Sequence, residues 1–266
     1  MEAFLDFLAT KGPRPEIFSW FHLLWTGIII AAIALTVIFL RYVSEKRNRW
    51  FLFGLTMTMI VCEVLKLVIT THVNNGFRWM FFPFQFCSTP MYVGLLAAFL
   101  PDCKVRRALY SFLATYGLFG GLAILLYPLQ VFDTDYVFLQ NQTMIHHGII
   151  ALIGIYLIAS GRVKFNKELV IGSVIVFLSL NAIAEGFNTI AYWAGIANDP
   201  TQLNQFNMFY ISPFQTTGLP GLAELQKVSF TLFLIAYLIV FTLLAYMMFF
   251  IAYGFKNIKR LLRKNN

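Results

Sequence analysis

Charge is scarce in this chain. Asp, Glu, Lys and Arg make up 12% of its 266 residues, about half the share found in an ordinary soluble domain. Apolar residues make up 59% and aromatic residues 17%, a balance that excludes a soluble globular protein. Cysteine is scarcer still. Cys62, Cys87 and Cys103 stand in or at the ends of hydrophobic stretches, at different expected depths and without C-x-x-C spacing. Neither a disulfide framework nor a metal cluster is therefore expected. A Walker loop, G-x-G-x-x-G, H-E-x-x-H and G-x-S-x-G are all missing. The commonest soluble chemistries go with them, and no metal or cofactor is expected. Basic residues outnumber acidic ones, 20 to 12, for a net charge of +8. They fall in short clusters between apolar runs, which is the pattern of membrane topology and argues against a nucleic-acid partner.

What the chain has in abundance is long hydrophobic runs. A hydrocarbon core of roughly 30 Å needs about 20 residues of helix to cross it. Runs of that length recur at 17–40, 50–71, 81–100, 107–127, 143–160, 169–193 and 228–253. The reading is an all-α membrane protein, residues 1–266 forming one domain built as a bundle of seven transmembrane helices. The first run, WFHLLWTGIIIAAIALTVIFL, is too long for the apolar part of a signal peptide, and the segment before it is not basic. An uncleaved first helix is expected. Arg41, Lys46, Arg47 and Arg49 follow the first run, Lys104, Arg106 and Arg107 the third, and Arg162, Lys164 and Lys167 the fifth. Lys256, Lys259, Arg260, Arg263 and Lys264 follow the seventh, whereas the alternate loops hold only Lys11, Arg14, Arg78 and Lys227. The positive-inside rule then sets the N-terminus outside and the C-terminus inside a cell membrane. The basic C-terminal tail is expected to touch anionic lipid.

Ionisable groups inside a spanning helix cost a few kcal/mol each, so those present should face a protein interior or a wet cavity. The second run carries Glu63 and Lys66 three residues apart, the fifth carries His146 and His147, and the sixth carries Asn181, Glu185 and Asn188 on one helical face. At a rise of 1.5 Å per residue, Glu63, Lys66, Cys87, His147 and Glu185 all come out roughly 6–12 Å below the outer boundary. They are read as one layer lining an outward-facing cavity. The inner halves of the helices show no ionisable residue on this reading. A structural alternative stands beside each group: Glu63 with Lys66 as a mutually neutralising pair, the histidines and Glu185 as interhelical glue, the thiols as small buried apolar side chains.

The stretch FFPFQFCSTPMY, residues 81–92, tilts the reading of Cys87 toward chemistry. Pro83 and Pro90 free backbone groups from the helical ladder, and irregular backbone is tolerated at membrane depth only where protein or a cavity satisfies it. The thiol there needs a base and a positive field to become a nucleophile; His147 offers the first and Lys66 the second. Gln85 and Ser88 are the expected oxyanion donors. The long outer connection, 194–227, mixes aromatics with Asn, Gln and Pro. It suits either a lid over the cavity or an interfacial helix that seals the bundle.

Taken together, E-x-x-K (Glu63, Lys66), P-x-Q-x-C-S (Pro83, Gln85, Cys87, Ser88), H-G (His147, Gly148) and N-x-F-Y-x-x-P (Asn207, Phe209, Tyr210, Pro213) form a recognisable set. With it the chain resembles the YwaF-like integral membrane proteins of bacteria, over about residues 45–250. A related eukaryotic branch is a phospholipid acyltransferase. The resemblance implies that Cys87 carries a fatty acyl chain as a thioester and that His147 is the partner histidine. The chain departs from its relatives at Gln85, where they often have a histidine; glutamine cannot act as a base, so the activating role falls on His147 or His146.

The expectation is therefore a lipid-modifying enzyme that transfers or hydrolyses an acyl ester through Cys87, with membrane lipid as both substrate and environment. Glu63, Lys66, Glu185, Asn188, Asn207 and Tyr210 are the expected substrate-binding groups. Two other classes compete: a solute or proton transporter or receptor using the same polar layer, and a non-catalytic accessory subunit.

Overall fold

The structure, a computed structural model, describes residues 2–128, 132, 134–196, 206–219 and 221–262, with the side chains of 256–262 left aside. Its helices are α1 (Glu2–Leu8), α2 (Trp20–Leu40), α3 (Glu45–Val73), α4 (Thr89–Phe99), α5 (Lys104–Phe112), α6 (Leu118–Leu126), α7 (Val137–Ala159), α8 (Lys167–Trp193), α9 (Ala223–Val228) and α10 (Phe230–Leu262). A single π turn, Leu113–Gly117, joins α5 and α6 into one continuous rod. Among the described residues there is no β-strand, and six helices are long and apolar enough to cross a membrane: α2, α3, the α5–α6 rod, α7, α8 and α10. The protein is a multi-pass helical membrane protein. The rod and α7 are the most enclosed of the six and α2 the least, so α7 and the rod form the centre and α2 the lipid-facing edge.

Bare helix surface lets the central rods approach. A Cβ at Gly121 would sit 2.7 Å from the Ala151 nitrogen and 2.9 Å from the His147 carbonyl oxygen, so α6 and α7 touch backbone to backbone at the level of the histidines. Gly148, on the other side of α7, takes the Ile29 side chain of α2. Close contact of this kind drives helix association where no hydrophobic effect operates between helices. Gly121→Ala is expected to cost about 1–3 kcal/mol and to lower the unfolding midpoint, whereas Gly54→Ala, with no atom within 4 Å, should leave it unchanged.

The basic loops come together at one end. Arg49 donates to the carbonyls of Ala98 and Phe99, Arg162 to that of Val43, and Arg107 pairs with Glu168. Because α3 starts at that end and residues 98–107 return to it, the chain from Val73 to Phe99 runs back along α3, against which α4 packs. Here the structure differs from the span expected at 81–100. Only Thr89–Phe99 is helical, about 16 Å at 1.5 Å per residue, and the stretch before it is irregular apart from one 3₁₀ turn, Trp79–Phe81. Prolines set this pattern: Pro83 interrupts the lead-in, and Pro90 sits in the first turn of α4 where its missing N–H does no harm.

At the opposite end the N-terminal segment is strapped to the loop before α7. Gly12 N–H donates to the Asp135 carbonyl at 2.7 Å, Val137 N–H donates to the Thr10 carbonyl at 3.0 Å, and Lys11 pairs with Asp135 at 3.2 Å. The Lys11 hydrogen bond holds the Asp135 carboxyl below its ordinary range, and Asp135 in turn raises the Lys11 ammonium. A carboxylate with a depressed pKa contributes above its unfolded value and loses the contribution as pH falls through the folded one. Amide exchange at Gly12 and Val137 should therefore quicken as pH is lowered through the acid range, after correction for intrinsic exchange, and Lys11→Gln should erase that dependence.

Candidate functional site

The site is built on the irregular stretch between Phe82 and Thr89. Backbone polar groups enclosed in a bundle without a helical ladder must find other partners. Here they find them. Ser88 N–H and Thr89 N–H donate to the Gln85 carbonyl at 2.8 and 3.3 Å, the Thr89 hydroxyl donates to the Phe86 carbonyl at 2.9 Å, and the Tyr92 hydroxyl donates to that of Pro83 at 2.9 Å. The Cys87 carbonyl lies 3.0 Å from His146 Nε2.

That last bond fixes a tautomer. A carbonyl only accepts, so His146 Nε2 carries the proton, and Nδ1 is left bare, buried and without a hydrogen-bond partner. His147 is set the other way round: Nδ1–H donates to the Thr143 carbonyl at 2.8 Å, and the bare, unpartnered nitrogen is Nε2. The two rings stand edge to face at 5.7 Å. Each ring thus presents one nitrogen without a hydrogen-bond partner inside the protein.

Packed on α7, α3 brings Glu63 and Lys66, joined as an ion pair with the carboxylate buried and the ammonium partly accessible. Both charges act on Cys87 and on His147, and Lys66 acts on His146 as well. Ser88 follows Cys87 in the chain and is buried, and Tyr210 lies within electrostatic reach of the thiol. Cys87 itself is partly accessible. The structure thus brings together Glu63, Lys66, Cys87, Ser88, His146, His147 and Tyr210.

The other expected residues do something else. Gln85 donates through Nε2 to the Asn207 carbonyl at 3.0 Å and accepts the Phe209 N–H through Oε1 at 3.1 Å. Both ends of its amide are thus taken by loop backbone rather than turned toward a developing oxyanion. Asn188 makes the same two-handed grip on Met208, 2.7 Å to its N–H and 3.1 Å to its carbonyl. Asn207 folds back through Oδ1 onto Ser212 N–H at 2.9 Å. Between these clamps Phe209 and Tyr210 sit in the left-handed region, φ 59° and 60°. That conformation costs a non-glycine residue about 1–3 kcal/mol and persists only where surroundings enforce it. Of the connection 194–227, residues 197–205 and 220 lie outside the described residues. Residues 206–209, 211 and 212 are buried as a wedge against α8 and the α4 lead-in. Glu185 interacts with Asn188, and its Oε2 is buried without a hydrogen-bond partner.

One cluster escaped the sequence reading. At the basic end Arg106 is buried, contrary to the expectation that the inner halves hold no ionisable group. It pairs with Glu45 of α3 and touches Tyr110; Asn48 donates to Tyr110 Oη at 2.9 Å and accepts from Tyr156 Oη at 3.0 Å. The available signal was the spacing of Glu45 with Asn48 and of Arg106 with Tyr110, three and four residues apart on single helix faces.

Fold and site define a class: a multi-pass helical membrane protein enclosing a thiol, two imidazoles and an ion pair toward the end opposite its basic loops. The chain belongs to the TMEM164 family, whose model matches residues 17–253. Neither a curated protein nor a solved structure matches it.

Proposed function

We propose that this protein is a lipid-modifying enzyme that moves an acyl chain through a thioester on Cys87. Its chain would cross the bacterial plasma membrane seven times, N-terminus outside and C-terminus inside, α4 and its irregular lead-in forming the third crossing. The observation that carries the reading is the bare Nε2 of His147, buried and fixed in tautomer by Thr143, in the same electrostatic cluster as the Glu63–Lys66 pair that acts on the thiol. His147 Nε2 takes the thiol proton, and the thiolate attacks the ester carbonyl. The resulting oxyanion is met by the Ser88 hydroxyl. The ester C–O bond breaks, the departing alkoxide takes the proton back from the imidazolium, and Cys87 holds the acyl group. A second hydroxyl, from an acceptor lipid or water, gives its proton to His147, attacks the thioester and releases the thiolate.

In this reading His146 holds the Cys87 backbone, and Gln85 acts as a positioning residue. Lys66 supplies positive field and, with Tyr210, binds the head group. The test is acylation of the purified protein by a phospholipid with an alkyne-tagged acyl chain. Label released by neutral hydroxylamine is expected on wild type and absent on Cys87→Ala; label of equal intensity on the variant removes the mechanism.

A transporter or receptor remains the second reading, and one observation favours it: the buried guanidinium of Arg106 gives the basic end a polar interior as well. Proton or solute flux in vesicles that is lost on Arg106→Gln but kept on Cys87→Ala would select it.

A further inference from the structure

At the basic end two guanidinium groups share a single acid, Glu45, which is exposed to solvent while Arg106 is buried. Arg106 and Arg162 converge on one carboxylate: Arg106 is ion-paired with Glu45, and Arg162 Nε stands 3.6 Å from the other oxygen of the same group. Two guanidinium groups face one acid. The neighbouring acids are committed elsewhere, since Asp102 and Glu168 both bind Arg107. Arg106 is 3% exposed, and its Nε–H is buried without a hydrogen-bond partner. An unsatisfied charged donor in such a place costs about 1–3 kcal/mol or more, so an enclosed guanidinium N–H calls for an acceptor.

A second observation is independent of that orphan. Arg106 stands in the first turn of α5, whose N-cap, Cys103, supplies no side-chain acceptor to the free amides. The first turn holds no acid and instead holds Lys104, Arg106 and Arg107, of which Arg107 is already paired with Asp102 and Glu168 and Arg106 with Glu45. Cations at the positive pole of a helix oppose its macrodipole, and the arrangement becomes favourable when an oxyanion sits among them. The guanidinium groups are also held rigidly for such a ligand. Arg106 lies over the Tyr110 ring at 4.9 Å and Arg162 over that of Tyr156 at 5.5 Å, while Asn48 ties the two phenols together.

The geometry points to a binding site for a phosphate-type oxyanion here, formed by Arg106 and Arg162, with the phosphate of an anionic phospholipid in the adjoining leaflet as its occupant. Arginine forks match phosphate oxygens in pairs, which a diffuse basic surface does not do. The site lies at the end of the bundle away from Cys87, and its occupancy does not depend on any reaction there.

A fluorescent phosphatidic acid analogue titrated into the full-length, detergent-purified protein tests it. Unlabelled phosphatidic acid should compete at least about tenfold better than phosphatidylcholine. Arg162→Gln and Arg106→Lys should each weaken binding about fivefold or more, while Lys227→Gln at the opposite end and Cys87→Ala should leave it unchanged. Should Arg106→Lys fail to fold, Arg162→Gln, nearer the rim, carries the test. Competition by inorganic phosphate at similar potency would support the oxyanion site and make the free ion its ligand. Equal affinity in wild type and Arg162→Gln, or equal competition by phosphatidic acid and phosphatidylcholine, overturns the proposal.

Discussion

Cys87→Ala is expected to abolish acyl transfer to within the uncatalysed background, and His147→Gln to lower it about 10²–10⁴-fold, the usual contribution of a positioned general base. The two histidines should separate cleanly. Glutamine at 146 can still donate to the Cys87 carbonyl through its amide, so His146→Gln should retain most activity if that residue only holds backbone. Glutamine at 147 has no lone pair of comparable basicity to replace Nε2, so His147→Gln should lose the turnover while the thiol stays open to alkylation by a small maleimide. Lys66→Met should fall between them, because it removes positive field from Cys87 and also strands the buried Glu63 carboxylate. Comparable rates in His147→Gln and wild type would move the base elsewhere. Activity lost in His146→Gln and kept in His147→Gln would exchange the two roles.

What could be read from the chain before its structure followed from period and length. Runs such as Trp20–Leu40 and Phe230–Phe255 announce themselves because hydrocarbon imposes a length of helix and leaves the backbone no alternative. The third run was legible only in part. Its composition matched a spanning helix, but Pro83 and Pro90 confine the helix to Thr89–Phe99, and the partners that permit irregular backbone there come from distant parts of the chain: His146, and the 207–209 loop through Gln85. The grouping of Glu63, Lys66, Cys87 and the histidines could be reached by counting rise per residue, since depth is a one-dimensional quantity. Depth alone could not give azimuth. Glu185 falls at the same level by this count, yet its interaction is with Asn188 on its own helix. Nor could it distinguish a charge in a loop from one folded under the bundle, which is why Arg106 was counted toward topology and not toward the interior.

Gln85→Leu is expected to unfold the wedge that closes the site. A side-chain hydrogen bond between two spanning helices averages only about 0.6 kcal/mol, because in the unfolded-in-membrane state both partners find substitutes. Gln85 serves different partners: the Asn207 carbonyl and the Phe209 N–H belong to a non-helical segment already bent into the left-handed region. Buried backbone groups left without a partner cost about 1–3 kcal/mol each, so leucine at 85 should destabilise by about 2–6 kcal/mol, several times the interhelical average. Gln85→Glu retains the acceptor for Phe209 and loses the donor to Asn207, and should cost roughly half as much. Gln85→His can serve one of the two partners at a time and should resemble the glutamate variant in stability. It also places a second imidazole two residues before the thiol, so acyl transfer that rises in Gln85→His while stability falls would show that the glutamine here gives up a base in order to hold the loop. Steric-trap unfolding in bicelles measures the first quantity and thioester labelling the second. Wild-type stability in Gln85→Leu would mean that Asn188, through its own grip on Met208, holds the wedge alone.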